Sequence, residues 1–321
     1  NPYPTFYILY SHMNAFHMHK QMIAIVGPTA SGKSDFAIAI AQKYNGEIIS
    51  ADSRQVYRDM DIGTGKVPRD PLPTDFFYSE GIRHHLLDIA DPKDEYNISH
   101  FLYDARQAVE DIRSRNKLSI LCGGTHFWIQ TLLEDHTLPE VPPNPELRLQ
   151  LSKKTNEELL ALLENRDPDR ARMIDPHNTI RLIRALEIVA ALGKVPSAIR
   201  NQKSEIRHAR ILALNPQREL LRKRIAQRLD VRFSQGMVEE VKRLRTQGIS
   251  WERLESFGLE YRYIAFFLQN KLSEKEMREQ LFFEVWHYAK RQLTWLRRWE
   301  KQGTSIQWIE NPEQFLKEVK F

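Results

Sequence analysis

Met22-Ile23-Ala24-Ile25-Val26-Gly27-Pro28-Thr29-Ala30-Ser31-Gly32-Lys33-Ser34-Asp35-Phe36-Ala37-Ile38-Ala39-Ile40-Ala41 is the stretch whose reading decides the fold. An apolar run leads into a Gly-rich turn, and apolar residues at helical spacing lead out of it. The G-x-x-x-x-G-K-[ST] pattern therefore stands between a strand and a helix, the context its chemistry needs. Gly27 and Gly32 let the backbone curl so that successive N–H groups converge, and the helix N-terminus adds partial positive charge. Lys33 brings a point charge to a terminal phosphate, and the Ser34 hydroxyl can ligate Mg²⁺. Gly27, Pro28, Thr29, Ala30, Ser31, Gly32, Lys33 and Ser34 are read as the cradle of a di- or triphosphate.

Outward from this loop, residues 47–51 form a second strand that delivers Asp52, Ser53, Arg54 and Gln55 at its C-terminal end. In an open parallel sheet that end faces the ligand crevice. Residues 57–94 read as irregular apart from a short strand at 84–89. A helix over 97–116 carries Phe101, Ala105, Ala108, Val109 and Ile112 on one face, and a buried strand at 118–122 runs into Gly123-Gly124-Thr125. This alternation predicts an α/β fold with a P-loop NTPase-like parallel sheet.

The pattern changes at Pro139, Pro142, Pro143 and Pro145, which mark a stiff boundary. Beyond it the chain reads as helices at 146–153, 156–165, 168–173 and 178–192 with no strand between them, a helical insertion domain over 138–206. The core is then 21–137 and 207–321, closing with a strand at 209–214, helices at 216–236, 237–247 and 273–301, and a strand–helix pair at 305–309 and 312–319. Residues 1–20 lack any period and read as an extension. Their His12, His17 and His19 have no scaffold that would make a metal site.

A chain of 321 residues can bury a large core, and no apolar run approaches a membrane span. One cysteine, Cys122, excludes an intrachain disulfide or a Cys-rich zinc site and suits a reducing cytoplasm. The net charge of +5 is uneven. Residues 1–195 hold 22 Lys+Arg against 26 Asp+Glu, whereas residues 196–321 hold 25 against 16. A basic C-terminal part fits a polyanionic partner and equally fits solvated helical faces.

A P-loop by itself points to a kinase or another NTPase, in which an apolar strand usually ends in a Mg²⁺-binding Asp. Asp52 and Asp88 are the candidates, and neither follows a clean apolar run. The order of GPTASGKS (27–34), ADSRQVYRDMDIGTGK (51–66), HHLLDIADP (84–92), Gly123-Gly124-Thr125, RLIRALEI (181–188), RIAQR (224–228) and YAKRQLTWLRR (288–298) resembles that of the tRNA dimethylallyltransferases, or tRNA isopentenyltransferases. The resemblance spans about Met22 to Ile309. It implies a P-loop core, a helical insert that grips a tRNA anticodon stem-loop, and dimethylallyl diphosphate with Mg²⁺ on Ser34 in place of a nucleotide. It further implies a cytoplasmic monomer with no membrane partner.

Carried over residue by residue, the resemblance makes Asp52 the general base on the adenine N6 amine. It makes Arg228, with Lys33, a cation for the departing diphosphate. From spacing alone Arg228 reads as a surface helix residue, and Asp52 could instead cap a turn. For RNA it implies Asp52, Ser53, Arg54, Gln55, Thr125, Arg148, Ile180, Arg181, Leu182, Ile183, Arg184, Lys290 and Arg291, with Trp128 and Trp295 as stacking platforms. The chain departs from the family at His126-Phe127-Trp128, at Ile180 in place of a Gln, and at Leu259-Glu260, where an acid replaces a base. The competing classes are a small-molecule kinase using ATP in the same loop, an RNA-binding protein with a relic loop, and an enzyme prenylating free adenine nucleotides. The basic half and the RLIRALEI insert favour tRNA over the last.

Overall fold

A computed structural model describes residues 22–139, 141–196, 199–200 and 205–319. The extension at 1–20, with its three histidines, lies outside the described residues. The chain divides into two compact units, one reaching Glu134 and resuming at Ser204, the other Asp135–Lys203. The expected bounds of the insert, 138 from the prolines and 206 from the return of strand character, stand beside these. No helix among the described residues is long and apolar enough to cross a membrane.

The first unit opens with β1 (Met22–Val26), α1 (Lys33–Tyr44), β2 (Gly46–Ser50), β3 (Phe77–Ser79), β4 (Ile82–His85), α2 (Ile98–Ser114), β5 (Leu118–Cys122) and α3 (His126–Leu133). The second unit holds β6 (His136–Thr137), α4 (Pro145–Leu151), α5 (Asn156–Arg166), α6 (Pro168–Met173), α7 (Thr179–Leu192) and β7 (Ile199–Arg200). The first then resumes with β8 (Arg210–Leu214), α8 (Arg218–Ser234), α9 (Met237–Thr246), α10 (Trp251–Ser256), α11 (Leu259–Leu268), α12 (Glu274–Lys301), β9 (Ile306–Ile309) and α13 (Pro312–Glu318).

Seven strands form one sheet in the order β3-β4-β2-β5-β1-β8-β9, and every neighbouring pair is parallel except β3 with β4. β1, β2 and β5 are buried along their whole length, which is why β1 reads as a continuous apolar run rather than an alternation. Phe36, Ala37, Ile40 and Ala41 of α1 pack on Ile23, Ile25, Ile48, Ile120 and Leu212 of the sheet. Each large side chain so buried contributes about 1.5–3 kcal/mol, and together they seat the α1 N-terminus beyond the C-terminal end of β1.

The expectation for 57–94 needs correction. The strand placed at 84–89 is β4 at 82–85, and it forms a hairpin with β3 that went unread. Glu80 and Gly81 both take positive φ there, the geometry of a two-residue turn matched to strand twist. Leu86 and Asp88 are also left-handed, and this ends β4 early. Helices α10 and α11 were not anticipated either. In the second unit, a two-residue antiparallel pair, β6 with β7, corrects the expectation of helices alone. Its core is Leu151, Leu159, Leu163, Leu182, Leu186 and Val189.

One charge lies inside the sheet. Glu47 on β2 is 2% exposed and receives His85 Nε2 at 2.8 Å, Lys117 Nζ at 2.8 Å and both terminal nitrogens of Arg115. Glu47, His85 and Asp111 converge closely enough to suggest a metal site, but Arg115 and Lys117 already supply the positive charge there. Burial alone would raise the Glu47 carboxyl. The hydrogen bonds from Arg115, His85 and Lys117 outweigh it and hold the group well below the usual carboxylate range. Its stabilisation is therefore present above the ordinary carboxylate pKa and lost as pH falls through the lower folded value. Glu47→Gln should lower the unfolding free energy by about 3 kcal/mol at neutral pH, with the gap to the parent closing in strong acid. Urea titrations across pH check this, and equal midpoints at pH 7 would refute it.

Candidate active site

The parallel register decides what meets at the C-terminal ends of the central strands. Ser50 of β2 and Ile25 of β1 both pair with Cys122 of the strand between them, so the loops leaving the three strands converge. Contact is closest at Gly123, where a Cβ would lie 2.1 Å from the Ala51 carbonyl oxygen, so no side chain fits. Ala51 N donates to Cys122 O at 2.8 Å and Thr125 N to Ala51 O at 3.1 Å, stitching the β2 and β5 loops together.

The phosphate loop lies on the other side of this junction. Gly32, with φ 88°, caps α1 in the left-handed region and brings no side-chain acceptor to the helix. The first-turn amides of α1 are thereby left for an anion. Lys33 Nζ donates to Pro28 O at 2.7 Å, and burial pushes its pKa down to about 8. Thr29 is held from two directions: its N–H donates to Gln292 Oε1 at 2.7 Å, and its hydroxyl oxygen accepts from Arg228 Nη2 at 2.7 Å. The Arg228 pKa is lowered by burial and by Arg232, and its buried Nε has no partner among the described residues.

Asp52 caps the turn with one oxygen and leaves the other towards the cleft. Oδ1 accepts from the Arg54 amide at 2.9 Å and the Gln55 amide at 3.4 Å, capping the turn. Oδ2 has no partner among the described residues and lies 3.8 Å from where a Cβ on Gly124 would stand. Asp52, Lys33, Arg228 and Tyr288 line one cleft of about 1030 Å³ with the phosphate loop. A second cleft of about 1030 Å³ shares Gly65, Lys66, Arg228 and Arg232 with it. The loop between the two is fixed from below: Glu240, 1% exposed, accepts from the amides of Asp61, Ile62 and Gly63 and from the Tyr261 hydroxyl. Lys66 anchors its end on Tyr57 O, Asp61 and Asp88.

Several residues expected to face RNA are occupied internally. Arg54 donates to the carbonyls of Ser53, Ser256 and Phe257, and Gln55 Nε2 to those of Thr64 and Gly65, so both hold the site's own loops. Thr125 Oγ1 accepts from Ser53 N at 3.0 Å. In the second unit, Arg148 and Arg184 both bind Glu187, which is 2% exposed, and Arg184 also donates to Val141 O. Leu182 is fully buried and can touch nothing outside the insert, a correction that helix periodicity explains. Ile183 packs against that core. Arg181 and Ile180 are exposed, as are Lys290 and Arg291 on α12. Trp128 stacks on Phe101 at 4.7 Å inside the core and offers no face to a base, again a correction. Trp295 is partly buried, with its Nε1 on Gln130.

Two departures from the family pattern find an explanation or a place. Glu260 pairs with the buried Arg232 at 3.0 Å, so the acid neutralises a cation that would otherwise stand beside Arg228. His126 is 4% exposed, with its ring against the Gly27 and Gln292 backbone. Burial pushes its pKa down to about 3, so the ring is neutral. Gln292, Tyr288, Arg232 and Glu240 went unread as site residues. The available signal was a polar or charged residue on an otherwise apolar helical stripe, as Gln292 stands among Val285, Ala289, Leu296 and Trp299.

With this geometry in hand, the similarity to known proteins is consistent along the chain. The pattern of the family described as IPP transferase matches residues 55–299, and that described as isopentenyl transferase matches 20–75. The chain is 43% identical over 302 residues to tRNA dimethylallyltransferase 1 of Syntrophus aciditrophicus, covering 92% of this chain and 95% of that one. It is 41% identical to tRNA dimethylallyltransferase 2 of Treponema denticola, covering 89% and 95%. Among solved structures it is similar to a full-length tRNA isopentenylpyrophosphate transferase from Bacillus halodurans, with TM-score 0.66, 30% identity and coverage of 93% and 94%. It is also similar to a eukaryotic dimethylallyltransferase acting on tRNA, with TM-score 0.72, 27% identity and coverage of 92% and 75%. Matched over residues 55–299 and more than 40% identical to relatives along most of its length, the chain belongs to the IPP transferase family.

Proposed function

We propose that this protein transfers the dimethylallyl group of dimethylallyl diphosphate to N6 of the adenosine 3′-adjacent to the anticodon in tRNA, releasing diphosphate. The observation that carries the reading is the pairing, in one cleft, of the Asp52 carboxylate with one oxygen unpartnered and a phosphate loop faced by Lys33 and Arg228. The N6 amine is a weak nucleophile. As its nitrogen bonds to the allylic carbon, Asp52 Oδ2 takes the proton it loses, while the carbon–oxygen bond to the diphosphate breaks. The α1 amides, Lys33 and Arg228 answer the charge that gathers on the departing oxygens. Ser34 lines the cleft, and its hydroxyl has no partner among the described residues, which fits a hard cation. Mg²⁺ there would supply further positive charge to the diphosphate.

The deciding experiment incubates the protein with dimethylallyl diphosphate, Mg²⁺ and an unmodified anticodon stem-loop, followed by nucleoside mass analysis, with ATP in a parallel arm. Prenylated adenosine is expected. Phosphate transfer from ATP to a small molecule, with no prenylated product, would move the protein to the kinases. In the same assay Asp52→Ala should cut single-turnover rate by about 10²–10⁴ while leaving dimethylallyl diphosphate affinity near the parent's. A variant that reacts at the parent rate removes Asp52 from the chemistry.

Lys33 makes the diphosphate affinity depend on pH. Its free ammonium loses its proton near pH 8, so binding should weaken about tenfold per unit above that and be flat below it. Titration calorimetry between pH 7 and 10, with Lys33→Met as the flat control, measures this. A parent profile as flat as the variant's would exclude the lysine.

Arg181 and Arg184 should now behave differently. Arg181→Ala removes an exposed charge and should weaken stem-loop binding, lowering the salt slope by about one unit. Arg184→Ala instead deprives buried Glu187 of a partner and should act mainly on the stability of the insert. Salt-series binding and thermal unfolding of each variant separate the two, and an Arg181→Ala slope equal to the parent's would take this helix out of the RNA interface.

A further inference from the structure

The side-chain amide of Gln292 is buried on the inner face of α12 and is fully engaged. Its Oε1 accepts from Thr29 N at 2.7 Å, and its Nε2 donates to Gly124 O at 2.8 Å. These are the loops that leave the adjacent strands β1 and β5. What each loop carries gives the amide its weight. Thr29 holds Arg228 through its hydroxyl, so this contact leads to the diphosphate half of the site. Gly124 leads directly to Thr125, whose hydroxyl receives the amide of Ser53 beside Asp52, so the other contact leads to the carboxylate half. Tyr288, one turn earlier on α12, reinforces the second contact by donating to Gly124 O at 3.3 Å.

We propose that Gln292 is a positioning residue that sets the separation between the diphosphate cradle and Asp52, and so the alignment of nucleophile and leaving group. The inference rests on the transfer reading above and assigns within it a residue that touches neither reacting atom. Three physical facts support it. A side-chain amide has one strong acceptor and one strong donor at fixed separation, which suits a bridge between an N–H and a C=O. Both partners are backbone groups, so the bridge acts on the loops themselves rather than on mobile side chains. Exposed Lys290 and Arg291 lie directly before Gln292 on the same rigid helix, so α12 carries the bridge and a cationic surface together.

A displaced bridge should loosen alignment without removing any group that grips a substrate. The cost then falls on the rate of the bound complex, where a misplacement of about 1 Å is worth about 10²-fold. Solvolysis should also compete better. In that side reaction the allylic carbon–oxygen bond to diphosphate breaks, a water oxygen bonds to the carbon and gives up its proton, and dimethylallyl alcohol is released.

Two variants disturb the bridge from opposite ends. Gln292→Met keeps the length and loses both hydrogen bonds. Gly124→Ala leaves Gln292 in place but puts a Cβ 2.7 Å from its Nε2, forcing the amide off the carbonyl. Each is measured for single-turnover transfer at saturating dimethylallyl diphosphate and stem-loop, for separate dissociation constants of the two, and for dimethylallyl alcohol formed per prenylated adenosine. The expected result for both is a transfer rate about 30–100-fold lower, dissociation constants within about threefold of the parent, and a raised alcohol ratio. Retained dimethylallyl diphosphate affinity reports that the variant is folded. A saturated transfer rate equal to the parent's in either variant overturns the proposal. So does a loss that lies wholly in the dissociation constants, which is what a merely structural packing role would give. A parent protein that forms no prenylated adenosine overturns the transfer reading, and this inference with it.

Discussion

The close approach of two parallel strand ends, with Gly123 against the Ala51 carbonyl, is the constraint on which the rest depends. β5 lies between β1 and β2, and the register that aligns Cys122 with both Ile25 and Ser50 leaves the phosphate loop and Asp52 on either side of one glycine. A side chain at that point would force the two halves of the cleft apart. Everything beyond the strands serves to hold this junction: Thr125 accepts from the Ser53 amide, Gln292 spans Thr29 and Gly124, and Arg228 reaches Thr29 from α8. The catalytic arrangement is thus a consequence of strand order, and the side chains refine it.

Charge inside this fold is consistently answered in pairs or by backbone. Glu47 is met by Arg115, Lys117 and His85. Glu240 is met by three amides and a tyrosine hydroxyl, and Arg232 by Glu260 and the Gly63 carbonyl. A buried charge left unpaired would cost several kcal/mol, so these networks fix loop positions as firmly as apolar packing does. Two cations of the cleft, Lys33 and Arg228, are the exception. Lys33 has only a carbonyl, and Arg228 has a hydroxyl with its Nε unpartnered among the described residues. That surplus of unanswered donors is what a diphosphate would complete.

The second unit follows a simpler rule. Its core of leucines draws in Leu182, while Glu187 gathers Arg148 and Arg184, so most of the RLIRALEI stretch builds the insert. Arg181 and Ile180 face outward.

The phosphate loop, the strand that presents Asp52, and the helical insert between prolines were all legible in the sequence. Each is a local matter: an apolar period, a Gly-rich turn, a break in pattern. The sequence offered turn cap and general base as alternatives for Asp52, and the structure shows one oxygen capping the turn. What the sequence could not show is which polar residues turn inward. Arg228 reads as a solvated helix residue, and Gln292 directly follows two exposed cations, because a helix rotates about 100° per residue and neighbours face different partners. Arg54, Gln55, Arg148 and Arg184 read as RNA contacts and are instead held by carbonyls and carboxylates as many as 203 residues away in sequence, as Arg54 is by Phe257 O. The fold brings Arg54 to Phe257 and Arg148 to Glu187, and hydrogen bonds between such distant segments leave no local period to read.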